Sequence, residues 1–419
     1  MCGRRRLSRL RLAVALAAIT LAAGCGFRDL RRNLEAHDRF GVVRGWVSAD
    51  DLGDAPLLVV VSGGTPERVF DVFALTQAGQ YFFMLPAGTY KVAAFVDRDG
   101  NLAYQPDQDP SGRYPHPITL TDGGSVTDVD VHVVPNSPSV FDIPIAVAPE
   151  GVRGVPYLPD SNLGVVTDLA DPRFSEANAA NGLWRPVDFI FQVGAGIYFL
   201  EPYDPDKIPV VFVHGALGHP GNWRFLIEQL DRSRFQPWLV YYPTAAGLGA
   251  VAESLDRWLR WLAVVHGFEH YAIVAHSMGG LVARGYVNGL ADGASLDAPD
   301  VLVTIATPWL GHESAAVGVR RAPVVAPSWF DMAPGSPFLA ALFAQPLPAD
   351  TAFDLLFAYG GSPRRGPSND GVVTLASQLP ASAQFQAQRI FGIDAGHMAV
   401  LSDAETAHEL NALLATLAP

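Results

Sequence analysis

A serine within a short run of small residues is the strongest candidate for a nucleophile. The segment Ala275-His276-Ser277-Met278-Gly279-Gly280 follows an apolar run at residues 271–275 and begins a pattern with helical spacing. A sharp strand-to-helix turn lifts a serine above a sheet and places the next N–H at a helix N-terminus, where it can stabilise an oxyanion. The pattern therefore predicts Ser277 as nucleophile and the Met278 amide as an oxyanion donor. The alternative is a turn of small residues with a serine that has no role.

A general base and a carboxylate must accompany such a serine, because an isolated hydroxyl is a poor nucleophile. Asp370 lies 93 residues after Ser277, and His397 follows 27 residues later, directly after an apolar run at residues 389–393. Both are expected beyond the carboxyl ends of strands, where they can converge on the serine. Asp394 is the alternative acid and His408 the alternative base.

Val213-His214-Gly215-Ala216-Leu217 directly follows a continuous apolar run at residues 208–213. It resembles the HG-x loop of lipases and esterases, and this resemblance implies that the loop supplies a second amide for the oxyanion. The Ala216 N–H would face that of Met278, and Leu217 would lie at the edge of the substrate cleft. His214 is a further candidate base, but a histidine at this place more often hydrogen-bonds to loop backbone.

The elements that position these residues alternate between strand and helix. Apolar runs predict strands, and residues 250–265 have apolar side chains at helical spacing. The strand candidates are residues 194–200, 208–213, 235–242, 271–275, 301–306, 353–359 and 389–393, and further helices are predicted up to residue 290 and at 404–417. Continuous apolar strands are typical of a parallel sheet covered on both faces. The predicted architecture is a doubly wound, mostly parallel α/β sheet.

The preceding part of the chain has a different pattern. Residues 40–148 contain short runs rich in Val, Phe and Tyr, separated by Gly, Pro, Asp and Asn, which favours a small all-β sandwich. The predicted organisation is a signal peptide (1–24), an anchor linker (25–39), the sandwich (40–148), a connecting segment (149–194) and an α/β domain (195–419) with a lid-like insertion at 308–352.

Taken together, the motifs resemble the α/β-hydrolase superfamily, and within it the lipase and esterase branch that includes GPI-inositol-deacylase-like proteins and bacterial triacylglycerol lipases. Residues 369–373, Asn-Asp-Gly-Val-Val, look like the motif around a lipase acid, and Ala275 departs from the glycine of G-x-S-x-G. The resemblance covers residues 195–419 and implies acyl transfer that needs no metal or organic cofactor. It also implies that apolar residues of the insertion, namely Trp309, Trp329 and Phe330, contact substrate. Alternatively, they complete the local core.

The segment Leu85-Pro86-Ala87-Gly88-Thr89-Tyr90 looks like the hairpin of carboxypeptidase-regulatory-like sandwich domains. Such domains commonly act as spacers or docking surfaces. Five oxygen-bearing side chains lie within residues 97–109 of this region. They could hold a hard cation such as Ca²⁺, but an acidic turn explains them equally, and no metal site is predicted.

The first residues resemble a bacterial lipoprotein signal peptide. Five arginines precede the apolar run 12–23, and Leu21-Ala22-Ala23-Gly24-Cys25 resembles a lipobox, which implies cleavage before Cys25 and lipidation of its thiol. The alternative is an ordinary secretory signal. Gly26 is not the aspartate that resembles an inner-membrane retention signal, so an outer-membrane location is expected.

Net charge limits the partners. The chain carries a formal charge of −13, and without the five arginines of residues 1–24 the remainder has 24 basic and 42 acidic side chains, a charge of −18. Such a protein repels phosphate backbones, which excludes nucleic-acid binding. The expected function is a membrane-anchored serine esterase that acts on small-molecule or lipid esters. A peptidase or amidase on the same scaffold, or a catalytically silent surface-binding lipoprotein, remains an alternative.

Overall fold

A computed structural model describes residues 26–135, 137–147, 162–290, 296–361 and 368–417. The predicted signal peptide and Cys25 lie outside the described residues, as do residue 148 and residues 149–161, which open the predicted connecting segment. Within the described ranges, none of the helices combines the length and the apolar character needed to cross a membrane.

The amino-terminal β region consists of two sheets that enclose one apolar core. One sheet has the order β4-β1-β8, with β9 also paired to β1, and the other has the order β3-β2-β5-β6, with β7 paired to β5. Side chains along β4 alternate between buried and exposed, as expected of a strand with one face on a core. The strands are β1 Gly41–Ala49, β2 Leu57–Gly63, β3 Arg68–Leu75, β4 Gly79–Leu85, β5 Gly88–Val96, β6 Ser111–Arg113, β7 Ile118–Leu120, β8 Ser125–Val126 and β9 Val131–Val133.

Two details of this region differ from the predictions. The segment Leu85 to Tyr90 does not form a hairpin, because β4 pairs with β1 in one sheet and β5 pairs with β2 in the other. Residues 126–134, one of the short runs that predict the sandwich strands, are split between β8 and β9, and both run parallel to β1. A sequence pattern identifies strands but does not state which sheet each one joins.

The acidic loop after β5 uses its carboxylates to hold its own backbone. Asp97 accepts hydrogen bonds from the amides of Asn101 (3.2 Å) and Leu102 (2.8 Å), and Asp109 accepts them from the amides of Arg98 (3.1 Å) and Gln105 (2.8 Å). The buried carboxylates of Asp97 and Asp109 therefore hold the loop that carries them in a fixed turn.

The carboxy-terminal part is built on an eight-stranded sheet with the order β10-β11-β13-β12-β14-β15-β16-β17. From β13 to β17 all neighbouring strands are parallel, and β11 alone joins β13 in antiparallel fashion. The predicted mixed, mostly parallel α/β sheet is confirmed. Its strands are β10 Val165–Val166, β11 Gly196–Phe199, β12 Ile208–Val213, β13 Phe235–Tyr241, β14 Ala272–His276, β15 Val301–Ile305, β16 Ala352–Ala358 and β17 Arg389–Ile393.

Helices cover both faces of this sheet. α5 packs beside α6 on one face, while α4 and α12 meet on the other, where the Asn411 side chain donates to the carbonyl of Gln229 (2.9 Å). The helices are residues 26–37 (α1), α2 Glu176–Trp184, α3 Pro186–Asp188, α4 Arg224–Glu228, α5 Leu248–His266, α6 Met278–Leu290, α7 Glu313–Arg321, α8 Pro327–Met332, α9 Pro337–Ala341, α10 Leu375–Gln378, α11 Ala381–Gln386 and α12 Ala404–Leu414. Short 3-10 turns lie at Pro172–Phe174, Pro220–Trp223 and Ala399–Ser402, and Phe189–Gly194 is a π-helix.

Residues 26–37, which lie within the predicted anchor linker, are helical in the structure. They form α1, which packs on α2 and α3: the Asn33 side chain accepts hydrogen bonds from the amides of Val187 (3.0 Å) and Asp188 (2.9 Å), and Arg185 pairs with Asp29 (2.6 Å). The sequence did not predict this helix because the stretch is mostly polar and has only one buried apolar residue, Leu30.

Candidate active site

Ser277 occupies a tight turn between β14 and α6. Its φ of +53° is a left-handed value that a non-glycine residue adopts only under constraint. The constraint is the close approach of helix and strand: a Cβ added to Gly279 would lie 2.3 Å from the carbonyl oxygen of Val213. Ala275, at the position that departs from the family's glycine, is completely buried without such a conflict. The turn holds the serine at the carboxyl edge of the sheet.

Three side chains far apart in the sequence form one hydrogen-bonded chain at this edge. Oγ of Ser277 lies 2.9 Å from Nε2 of His397, and Nδ1 of His397 lies 2.6 Å from Oδ2 of Asp370. Ser277 follows β14, Asp370 lies in the loop after β16, and His397 follows β17. All three side chains are buried. Because Nδ1–H donates to the carboxylate, Nε2 is free to accept the serine proton.

Asp370 is held as an anion by its neighbours. Its Oδ1 accepts hydrogen bonds from the amides of Val372 (2.9 Å) and Val373 (2.6 Å), and its Oδ2 accepts one from the Gln378 side chain (3.2 Å) as well as that of His397. Burial alone would raise the pKa of Asp370, but the hydrogen bonds from His397 and from the two amides outweigh it and lower the pKa below its usual value. Gln378, on α10, is a contact that no sequence motif indicated.

His276, the residue before the serine, connects the serine turn to the backbone of His397 by a hydrogen bond. Its Nε2 donates to the carbonyl oxygen of His397 at 2.9 Å, which fixes the backbone that carries the imidazole. Burial, and secondarily the proximity of His397, lowers the pKa of His276 to about 3, so this histidine is neutral at physiological pH. No pattern in the sequence predicted a separate role for His276 within the turn.

The loop after β12 lies directly against the serine turn. A Cβ added to Gly215 would be 2.8 Å from Cβ of Ser277, so only glycine allows this approach. Ala216 follows on the loop, and Met278 is the first residue of α6. Within the described ranges, neither the Ala216 nor the Met278 amide donates a hydrogen bond to another protein group. Both N–H groups are therefore available to a ligand.

His214 serves the loop backbone, as expected for its position. Its Nδ1 donates to the carbonyl of Gly215 (2.9 Å), its Nε2 accepts from the amide of Tyr242 (3.4 Å), and its ring stacks on Tyr242 with the centroids 4.3 Å apart. Burial lowers its pKa to about 3. The alternative acid and base, Asp394 and His408, are both exposed and contact neither Ser277 nor His397.

The four residues predicted to contact substrate differ in how far they are exposed to solvent. Leu217 (51% exposed) and Phe330 (53% exposed) present apolar side chains to solvent. Trp309 does not: it is 1% exposed and packs edge-on against Phe343 and Phe353, so the prediction that it contacts substrate is wrong. Its ring fills the space beside β16 instead.

Trp329 is partly buried and packs against a small cluster formed by Leu30 of α1, Ala245 and Ala326, where the insertion meets the amino-terminal helix. The insertion itself forms three short helices, α7, α8 and α9. His312, the N-cap residue of α7, donates through Nε2 to the carbonyl of Val372 at 2.8 Å. The insertion is thus in contact with the loop that carries Asp370.

Comparison with known proteins agrees with this architecture. Residues 210–410 match the model of the Alpha/beta hydrolase family, a range that includes Ser277, Asp370 and His397. A candidate lipase from Schizosaccharomyces pombe is 36% identical over 122 residues, which cover 24% of this chain and only 16% of that protein.

Two solved structures align with about half of the chain. The Bacillus licheniformis lipase BlEst2 in its mature form has a TM-score of 0.42 at 18% identity and covers 53% of this chain and 98% of its own. The product of the lin2722 gene of Listeria innocua has a TM-score of 0.41 at 16% identity and covers 51% and 96%. The family match and the strand order described above show that the carboxy-terminal half of this chain has the α/β-hydrolase fold.

Proposed function

We propose that the protein is a serine esterase with a preference for lipid-like carboxylic esters, and that it works through an acyl-enzyme on Ser277. The observation that carries the proposal is the hydrogen-bonded chain from Ser277 through His397 to Asp370, with contacts of 2.9 and 2.6 Å. Such a chain supplies a nucleophile, a general base and a group that fixes the tautomer of the base.

In the first half of the reaction, Oγ of Ser277 attacks the ester carbonyl while its proton passes to Nε2 of His397. The negative oxygen of the tetrahedral intermediate is stabilised by the amides of Ala216 and Met278. When the intermediate collapses, His397 returns the proton to the departing alkoxide, and the acyl group stays on the serine. Water then repeats the sequence, with His397 as its base, and releases the acid.

The preference for apolar esters is supported by the rim of the site. Loops that carry the proposed catalytic groups also present exposed apolar side chains: Leu217 beside Ala216, Val372 beside Asp370, and Met398 beside His397. Leu310, at the start of the insertion, is likewise exposed and donates its amide toward Ser377 of α10. The similarity to the S. pombe candidate lipase points in the same direction.

We further propose that the enzyme is an exported lipoprotein held at the outer membrane through Cys25. Helix α1 begins at the next residue and packs on α2 and α3, so an acylated Cys25 would hold the hydrolase close to the bilayer. Metabolic labelling with palmitate is expected to mark the wild-type chain and not a Cys25→Ser variant. Equal labelling of both would refute the anchor.

A fluorophosphonate probe tests the catalytic proposal. It should label the wild-type protein at Ser277 and should not label a Ser277→Ala variant, because only an activated serine displaces the fluoride. p-Nitrophenyl acyl esters of increasing chain length, compared with peptide anilides, then define the substrate. Ester cleavage that increases with chain length supports the proposal. Faster cleavage of anilides would make the protein an amidase, and an unlabelled wild type would make it a silent binder.

A further inference from the structure

The two oxygens of the Asp370 carboxylate are held by different parts of the fold. Oδ1 accepts hydrogen bonds from the amides of Val372 (2.9 Å) and Val373 (2.6 Å), which belong to the same loop as Asp370. Oδ2, the oxygen that faces Nδ1 of His397, accepts a second hydrogen bond from Nε2 of Gln378 at 3.2 Å. Gln378 lies on α10, so its contact reaches the carboxylate from outside the loop that carries it.

The Gln378 side chain is itself fixed by the backbone at the end of β16. Its Oε1 accepts a hydrogen bond from the amide of Ala358 at 2.9 Å, and its Nε2 donates to the carbonyl of the same residue at 3.0 Å. Because a backbone N–H can only donate, the atom that faces the Ala358 amide must be Oε1, so Nε2 is the atom that faces Asp370. Ala358 pairs with Ile393 of β17, the strand that precedes His397. The Gln378 amide therefore links Asp370 to the part of the sheet from which His397 extends.

The contact between Gln378 and Asp370 is shielded from water. Gln378 is 1% exposed and Asp370 is 2% exposed, so solvent cannot readily replace a hydrogen bond that is lost between them. Without Gln378, the direction of the carboxylate would be set by its own loop and by His397. A carboxylate in this place has to hold the imidazole in one tautomer and one orientation, and a small displacement of such a group is costly in rate.

We propose that Gln378 is a positioning residue, which keeps Oδ2 of Asp370 directed at Nδ1 of His397. The inference rests on the esterase function proposed above and adds a residue to its machinery. Gln378 acts on the reaction through the carboxylate of Asp370. Its loss should therefore slow the chemical step, which kcat reports, and leave the KM for the substrate unchanged.

Gln378→Met tests this role, because methionine has a similar length and lacks the amide. With p-nitrophenyl octanoate, kcat should fall about ten- to hundredfold at an unchanged KM. Gln236→Met is a matched control. Gln236 is also 1% exposed, and its amide donates to the carbonyls of Asp204 and Lys207 (both 2.8 Å), but it lies at the amino end of β13, at the opposite edge of the sheet from Ser277. Its variant should keep the wild-type kcat, and an equal fall in both variants would overturn the proposal.

A double-mutant cycle separates the positioning of Asp370 from general damage to the site. Asp370→Ala removes the carboxylate that Gln378 positions, so Gln378→Met added to Asp370→Ala should change kcat by less than about twofold. If the effects of the two substitutions multiply instead, Gln378 does not act through Asp370 and the proposal is overturned.

Gln378→Glu decides if Gln378→Met does not fold. The introduced carboxyl group has the shape of the amide, but it can donate to Asp370 only while it is protonated, and it repels the Asp370 carboxylate once it is ionised. Between about pH 5 and about pH 9, the kcat of this variant relative to that of the wild type should therefore fall as the pH rises. A ratio that does not depend on pH would overturn the proposal.

The failure of this proposal can be distinguished from the failure of the esterase function. If the wild type labels with fluorophosphonate and hydrolyses esters while Gln378→Met keeps its kcat, only the role of Gln378 is overturned. If the wild type shows neither labelling nor hydrolysis, the esterase proposal itself is overturned.

Discussion

At the level of single residues, one imidazole is placed where it could act as the proposed base, and two neighbouring imidazoles are not. His397 lies between a hydroxyl and a carboxylate, whereas His214 and His276 are fully enclosed and donate to backbone carbonyls. Their enclosure keeps them neutral, and a neutral imidazole beside the oxyanion loop does not compete for the serine proton. The three histidines are distinguished by surroundings rather than by residue type.

The buried histidines make stability depend on pH. The pKa of His276 is lowered to about 3. Between pH 6.5 and 3, His276 is therefore protonated in the unfolded chain but not in the folded chain. The contribution of His276 to stability is therefore fully present above pH 6.5 and is lost as the pH falls. When the pH falls from 7.5 to 5.5, the unfolding free energy of the wild type should decrease by about 1.4 kcal/mol more than that of a His276→Gln variant. Urea unfolding at the two pH values measures this difference.

The control for this measurement is His408→Gln, since His408 is exposed on α12. That variant should retain the wild-type dependence on pH. If His276→Gln retained it as well, the assignment of His276 as a neutral buried group would be wrong.

Sequence reasoning identified the residues of the site whose function demands a particular type. Ser277, Asp370 and His397 were predictable because nucleophilic catalysis needs those types after strand ends, and the structure brings them together. Gln378 and His276 were not predictable, because their roles come from hydrogen bonds across the fold. Trp309 was misassigned, since an aromatic side chain has the same appearance in a sequence whether it fills a core or lines a cleft.

At the level of elements, the geometry of the site depends on how closely α6 passes β12. Gly279 allows this approach, because any added Cβ would lie 2.3 Å from the carbonyl oxygen of Val213 and 2.5 Å from that of His214. Those atoms belong to the backbone of a central strand and of the oxyanion loop, so neither can move without displacing the site.

A pair of substitutions in one helix tests this contact. Gly279→Ala should destabilise the protein by about 1–3 kcal/mol and reduce ester hydrolysis, because the helix must shift away from the loop. Gly289→Ala, ten residues later on α6 where an added Cβ meets nothing within 4 Å, should instead stabilise it by about 0.5–1 kcal/mol. Thermal unfolding and p-nitrophenyl ester rates measure both effects. Similar changes in the two variants would show that the contact with β12 does not matter.

Element prediction succeeded where the periodicity was long and failed where it was short. α5 was predicted within two residues of its bounds at Leu248 and His266, since nineteen residues give a clear amphipathic pattern. The three-residue strands β6 and β7 give no such pattern and were missed. Helix α1 was missed because its position depends on contacts with distant parts of the fold, such as α2 and α3.

At the level of the whole molecule, the β region is joined to the hydrolase through a buried ion pair. Asp71 on β3 pairs with Arg257 on α5, both side chains are under 10% exposed, and the guanidinium also donates to the carbonyl of Val72 at 3.0 Å. The ring of Phe73 lies 5.4 Å from the same guanidinium. A domain that served only as a flexible spacer would not require a desolvated charge pair at its junction.

Removal of one partner from this pair should therefore be costly for the whole protein. Arg257→Leu removes the cation that faces the buried Asp71 carboxylate, and a loss of about 3–5 kcal/mol in unfolding free energy is expected. The double variant Asp71→Leu with Arg257→Leu removes both charges and should recover most of that loss, which a double-mutant cycle in urea measures. Arg320→Leu, which breaks the exposed pair with Glu313, should cost less than about 1 kcal/mol. If Arg257→Leu cost no more than Arg320→Leu, the β region would be only loosely attached, and the junction would not contribute to the stability of the hydrolase.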